Sequence, residues 1–215
     1  MKERSLGMDI LLTTLVLVII AVVAGGILAG VNALTYQTPD EKLDAKLSAV
    51  YKTSEGFTKF VYDEKDKDKS KIDFVKDKED KKLGGRVMGL YVPVKNDKNE
   101  VLVHVRGNGA YDKDIEIIVI IDKNKEEIKG ILEYRSGETP GLGANAFKPK
   151  HIEKYLGDFS KVDKFELSKV NPNAAHKIDA VTGATKTSTA FNNAINTAIL
   201  FYRSDLYKTL MGGIK

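Results

Sequence analysis

Ile115-Glu116-Ile117-Ile118-Val119-Ile120-Ile121 is a run of β-branched residues interrupted by a single carboxylate. So short and so branched a stretch reads as a β-strand. Asp122-Lys123-Asn124 supplies turn residues behind it, and residues 128–134 form a second strand-like run, so the two predict an antiparallel hairpin. Working outward toward the N-terminus, residues 101–105 and 87–94 are strand-like as well, separated by the turn Lys95-Asn96-Asp97-Lys98. Residues 57–62 predict a further strand. Between 63 and 82, acids alternate with lysines around Ile72-Asp73-Phe74-Val75, the pattern of a solvated hairpin or surface loop. In the other direction a helix is expected near 149–156, then a connector over 159–170. A final apolar series, Ala190, Ala194, Ile195, Ala198, Ile199, Phe201 and Tyr202, has the spacing of three and four that predicts an amphipathic helix over 185–210. Strands followed by helices make an α+β fold, an antiparallel sheet packed by helices, in one domain spanning 57–215.

Two short segments inside that domain carry possible chemistry. Asp179-Ala180-Val181-Thr182-Gly183-Ala184-Thr185 leads into the last helix. Asp179, Thr182 and Thr187 are candidate N-caps. A helix N-terminus offers unpaired N–H groups and partial positive charge, so a phosphate is stabilised there. Gly183 allows close approach, and Lys186 adds a cation. An ordinary capped helix is the plainer reading of the same residues. Upstream lies Gly137-Glu138-Thr139-Pro140-Gly141-Leu142-Gly143. Pro140 fixes its own φ, whereas Gly141 and Gly143 permit positive φ, so the loop suits a tight turn or a wall for a flat ring. The series Gly141-Leu142-Gly143-Ala144-Asn145-Ala146, with Asp163 about twenty residues on, also fits a dinucleotide fingerprint. Pro140 and Pro149 interrupt the strand and helix that a dinucleotide fold needs, and no second alternating strand–helix unit follows.

Asp179 to Thr185 resembles the flavinylation motif D-x-x-[S/T]-G-A-T of the FMN-binding domains found in the G subunit of Rnf complexes and in the C subunit of sodium-pumping NADH:quinone reductases. Glu138-Thr139-Pro140-Gly141-Leu142-Gly143 resembles a loop that the same family carries upstream of the motif. The resemblance covers roughly residues 107–200. It implies FMN joined through its phosphate to Thr185 by an FAD-dependent flavin transferase. Thr182, Gly183 and Ala184 would then form the turn under the phosphate, while Glu138, Thr139, Leu142 and Gly143 line the flavin. Asp179 serves recognition by the transferase or fixes the turn, and the sequence does not choose. The glycine-and-tyrosine turn Gly107-Asn108-Gly109-Ala110-Tyr111 resembles, loosely, a family loop near the flavin. The implied function is an electron-transfer subunit of an ion-translocating ferredoxin:NAD oxidoreductase of Rnf type, with other membrane and redox subunits as partners. It is a redox subunit rather than a stand-alone catalyst. A component like the reductase C subunit, and a non-redox exported binding or scaffold module, are the alternatives.

Composition bounds these readings. With no cysteine, disulfides, iron–sulfur ligation and thiol catalysis are excluded. His104, His151 and His176 are scattered without ligand spacing and read as surface or site-edge residues, so no metal site is expected. No catalytic triad or carboxylate pair stands out. A net charge of +4 spread over 64 charged residues (34 basic plus 30 acidic) lacks the clustered basic face that nucleic acid requires. Residues 10–34 are almost wholly apolar. As a helix they run ~37 Å, enough to cross ~30 Å of hydrocarbon. Lys2 and Arg4 precede them, so the expected layout is a cytoplasmic N-terminus (1–8), a retained single-pass helix in the cell membrane (9–34), a linker helix (35–56) and an extracytoplasmic domain (57–215). Val31-Asn32-Ala33 leaves a cleaved signal peptide as the rival, although the apolar run is longer than a signal core. Gly26 and Gly30 form a small-x-x-x-small pair suited to close helix packing or merely tolerated in lipid. Thr38-Pro39-Asp40-Glu41 carries helix-start chemistry.

Overall fold

The computed structural model describes residues 6–50, 56–63, 72, 74–76, 84–95, 98–168 and 176–214. The solvated segment expected over 63–82 lies mostly outside these. The chain divides into two compact units, Met1–Val50 and Tyr51–Lys215.

The first unit is two helices. α1 (Leu6–Thr35) has 30 residues, and its stretch Gly7–Thr35 has a mean hydropathy of 2.9 with its apolar side chains exposed. At 1.5 Å per residue it is ~45 Å long, ample for a bilayer core. Its hydroxyls are satisfied internally: Thr13 donates to the Asp9 carbonyl (2.8 Å) and Thr14 to that of Ile10 (2.9 Å). Such back-bonding removes the main cost of placing a threonine among apolar groups. α2 (Pro39–Val50) opens with a capping box. The Thr38 amide donates to Glu41 Oε2 (2.8 Å) and the Glu41 amide to Thr38 Oγ1 (3.2 Å), so two orphan donors are paired reciprocally.

The second unit is an antiparallel sheet covered by a helix. Its strands are β1 (Phe57–Val61), β2 (Phe74–Lys76), β3 (Gly85–Pro93), β4 (Glu100–Gly107), β5 (Ile115–Asp122), β6 (Glu127–Arg135) and the two-residue β7 (Gly157–Asp158). They lie in the order β1-β3-β4-β5-β6-β7, with β2 also on β3, and every pairing in this sheet is antiparallel. The α+β expectation therefore holds. The β5–β6 hairpin turns where expected: Asp122 Oδ1 accepts the Asn124 amide (3.0 Å), and Glu126 takes a positive φ of 48°. After β6 come a 3-10 turn (Gly143–Phe147), α3 (Pro149–Ile152) and a second 3-10 turn (Glu153–Tyr155). A small parallel pair, β8 (Glu166–Leu167) with β9 (Lys177–Ile178), leads to α4 (Thr185–Tyr202) and α5 (Asp205–Gly212).

α4 lies across β3, β4 and β5 and supplies the middle of the core. Ala190, Phe191, Ala194, Ile195, Ala198, Ile199 and Phe201 are buried against Val87, Val103, Val105, Ile117, Val119 and Ile121. Close approach depends on two glycines paired across β3 and β4, Gly85 and Gly107. A Cβ on Gly107 would run into the Ala190 carbonyl, and one on Gly85 into Thr197 Oγ1. Neither glycine has an unusual φ; what they supply is room. Asn192 and Asn196 donate to the Phe165 carbonyl (3.0 and 2.9 Å) while Asn196 Oδ1 accepts the Phe165 amide (2.8 Å), which ties the segment leading into β8 to the helix.

Two expectations are corrected here. The helix expected over 185–210 is two helices. Arg203 ends α4, and Ser204, with extended backbone, caps α5 by accepting the Tyr207 amide (3.2 Å). Apolar spacing continues through Leu206 and Leu210, so periodicity could not register the break. Two of the three histidines expected at the surface or a site edge also differ. His104 and His151 are buried, while His176 is exposed.

Candidate functional site

Thr139-Pro140-Gly141-Leu142 closes a β-turn, the Leu142 amide donating to the Thr139 carbonyl (3.1 Å). Pro at the second position and Gly141 at the third with φ 82° are the type II pattern. Val181-Thr182-Gly183-Ala184 repeats this device: the Ala184 amide donates to the Val181 carbonyl (2.9 Å), and Gly183 has φ 76°. The two turns meet, since a Cβ on Gly183 would stand 3.4 Å from Leu142 Cδ2.

Between them lies a cavity of about 540 Å³. Tyr111, Glu138, Thr139, Leu142 and Gly143 line it from the sheet end, and Gly183, Ala184, Thr185, Lys186 and Thr187 from the start of α4. That volume falls in the range of small-molecule sites. The structure thus brings together seven of the eight residues that the resemblance assigned to the flavin, Glu138, Thr139, Leu142, Gly143, Gly183, Ala184 and Thr185. Thr182 and Asp179 lie outside the lining. Tyr111, from the loosely matched turn, is in it and 75% exposed.

Thr185 is the first residue of α4 and is exposed. The N-cap is Ala184, which has no side chain able to accept, so none of the candidates Asp179, Thr182 and Thr187 caps this helix. Each is otherwise engaged or turned away. Asp179 pairs with Lys154, and that hydrogen bond and charge hold its carboxyl below the usual range. Thr187, fully buried, donates to Glu138 Oε2 (2.8 Å). Thr182 sits exposed in the turn. First-turn amides have no partner within their own helix, so this N-terminus presents uncapped donors on the cavity side.

Ser188 anchors the arrangement. Its buried hydroxyl accepts the Val181 amide (2.9 Å) and donates to the Ala184 carbonyl (3.0 Å), locking the turn onto the helix. The sequence held no signal for this beyond a serine one turn into an amphipathic helix. Glu138 closes the other side. Its Oε1 accepts the Tyr111 amide (3.0 Å) and, at 3.5 Å, that of Asp112. Gly143 makes room for it, because a Cβ there would run into Glu138 Oε2.

Away from the cavity, on the sheet face opposite Val103 and Val105, Glu116 accepts from His104 Nε2 (2.9 Å), Arg106 Nε (3.1 Å) and Arg135 (2.7 Å). Burial pushes the Glu116 carboxyl up, but the His104 hydrogen bond and the surrounding cationic charge outweigh it and hold it at about 2. His151 is enclosed by Tyr155 and Phe191 rings, 5.6 Å away between centroids. Burial, with Lys154 adding to it, pushes its pKa down to about 4. Among the described residues no group of acidic and histidine side chains is placed to hold a metal ion.

Residues 110–200, which contain the whole cavity lining, match the FMN-binding domain family. The chain is 28% identical over 169 residues to the C subunit of the Na(+)-translocating NADH-quinone reductase of Vibrio campbellii, covering 73% of this chain and 63% of that protein. It is 32% identical over 77 residues to the G subunit of the Na(+)-translocating ferredoxin:NAD(+) oxidoreductase complex of Acetobacterium woodii, covering 36% and 37%. Among solved structures, NqrC of Shewanella oneidensis superposes with a TM-score of 0.44 at 24% identity, over 60% of this chain and 62% of that one. The chain spans less than two thirds of the length of each of these relatives. Over residues 110–200, this domain is similar to the FMN-binding domain family.

Proposed function

We propose that this protein is a membrane-anchored electron-transfer subunit of an ion-translocating oxidoreductase complex, carrying FMN bonded through its phosphate to Thr185. The observation that carries the reading is the position of Thr185: exposed, first in α4, on the wall of a cavity whose helix N-terminus no side chain caps. The residues fit the group. Uncapped first-turn amides and Lys186 suit the anionic phosphodiester that such a link creates. Gly183 leaves the backbone bare beside it, and Leu142 with Tyr111 offers apolar surface for a flat ring. Glu138 and Thr139 supply polar atoms at the wall. When bound, FMN supplies one- and two-electron redox chemistry, with its potential set by these surroundings. The chain's own work is to hold, orient and shield it.

The bond would form between Thr185 Oγ1 and the FMN phosphorus, with AMP leaving from FAD on a flavin transferase and the hydroxyl proton lost to solvent or base. A tether has a physical rationale outside the cell membrane. Occupancy of a non-covalent site falls with free ligand, and a covalent link removes that dependence. The apolar α1 would be the single-pass anchor, with Lys2 and Arg4 keeping the N-terminus inside. The proposed domain layout follows: 1–8 cytoplasmic, 9–34 spanning, 35–56 linking and 57–215 outside.

Two subunit types suit this role. The higher identity to the ferredoxin-linked G subunit accords with the Rnf assignment, and the longer alignment to the C subunit accords with the NADH:quinone reductase. Copurification from native membranes separates them by the redox partner recovered. The central test is mass. Chain from a flavinylating host should gain one FMN less one water, and Thr185→Ala should abolish the gain while leaving the fold intact. Unchanged mass in the parent chain would support a non-redox scaffold instead.

A further inference from the structure

Glu138 does not simply face the cavity. One carboxylate oxygen accepts the amides of Tyr111 (3.0 Å) and Asp112 (3.5 Å), and the other accepts the Thr187 hydroxyl (2.8 Å). Tyr111 stands on the loop after β4, Thr187 in the first turn of α4, and Glu138 on the loop after β6. Three segments far apart in sequence therefore converge on one side chain. Every contact is a donor to the carboxylate, the pattern an ionised acid satisfies.

The surroundings are shaped to keep it there. Gly143 lacks the Cβ that would collide with Oε2, and the same atom would press on Thr187 Oγ1 (2.9 Å). Gly137, beside Glu138 in the chain, likewise leaves space for the Asp112 carboxylate. Thr187 is fully buried, so its hydroxyl is shielded from solvent while Glu138 is in place. A buried hydroxyl stripped of its acceptor is left as an unsatisfied polar group, which makes the contact expensive to lose.

We propose that Glu138 is a positioning residue: a carboxylate clamp that fixes the 108–112 loop to the first turn of α4 and so sets the width of the cavity, while its negative charge on the cavity wall disfavours electron uptake by a flavin held there. This rests on the reading of the cavity as the flavin site. The clamp itself belongs to the polypeptide and exists without the cofactor, whereas the charge effect requires it.

Glu138→Gln and Glu138→Ala separate the two parts. Gln retains an acceptor for the Tyr111 amide and a group that pairs with the Thr187 hydroxyl, but it is neutral. In the flavin-free full-length chain in detergent, amide exchange at Tyr111 should quicken about tenfold in Glu138→Ala and stay near the parent rate in Glu138→Gln. Unchanged exchange in Glu138→Ala overturns the clamp. In the FMN-loaded chain, the midpoint potential of Glu138→Gln should move upward from the parent. A potential that stays put, or falls, overturns the electrostatic part, which a merely structural glutamate would not contribute. Should Glu138→Ala fail to fold, the decision on the clamp passes to Thr187→Val, which removes the hydroxyl and should also loosen Tyr111. If the parent chain takes up no FMN, the flavin reading fails, and the exchange measurement still decides the clamp.

Discussion

Ser188 shows how much one hydroxyl contributes here. It joins the Val181 amide to the Ala184 carbonyl and thereby fixes the turn that precedes Thr185. Ser188→Ala leaves both groups without that partner. We expect a loss of ~1–3 kcal/mol in urea unfolding, together with slower flavin loading, whereas Ser188→Thr should retain most of both. At this scale the sequence was partly legible. The glycines of the two turns were readable because turn chemistry is local, whereas Thr185 and Glu138 were singled out by the family resemblance. The wrong N-cap assignments have a physical cause. Asp179, Thr182 and Thr187 all have capping side chains, but Asp179 and Thr187 are engaged by residues distant in sequence, Lys154 and Glu138, and Thr182 stays exposed in its turn.

Among the elements, α4 is the one that connects core and site, and its seat on the sheet is set by Gly85 and Gly107. A methyl at residue 107 meets the Ala190 backbone rather than a flexible side-chain end, so the helix itself must shift. Gly107→Ala should cost ~1–3 kcal/mol in stability by overpacking and displace the start of α4, read as a lower denaturation midpoint and altered loading of the same chain. Ser204→Ala tests the break between α4 and α5, with an expected loss of ~1 kcal/mol from the missing cap. Strand positions were legible because five of the strands are runs of branched residues between turns. The α4–α5 boundary was not, because Leu206 and Leu210 continue the apolar spacing across a break made by one serine. Neither was the role of Gly107, which sequence reads as a flexible turn and the fold uses as clearance.

The response of the whole domain to acid follows from two buried groups. Glu116 has a folded pKa of about 2 against an ordinary 4.5, so it stabilises the fold above pH 4.5, and that contribution is lost as pH falls toward 2. For His151, held near 4 against an ordinary 6.5, the unfolded chain binds a proton that the folded one refuses. Stability is therefore present above pH 6.5 and is lost as pH falls from 6.5 to 4. Urea midpoints across pH should show both windows. His151→Phe should flatten the upper one, and Glu116→Gln the lower one. Removing residues 1–35 should yield a chain that stays in solution without detergent, while the full chain partitions with membranes, since α1 carries a long exposed apolar surface.

Because Thr185 stands open to solvent at the first position of a helix already seated on its sheet, a modifying enzyme could reach it without dismantling anything. On the flavin reading proposed above, maturation has a natural chronology: the domain folds first and acquires its pigment last. A denatured chain offered to the transferase should stay colourless, and the same chain, refolded beforehand, should turn yellow.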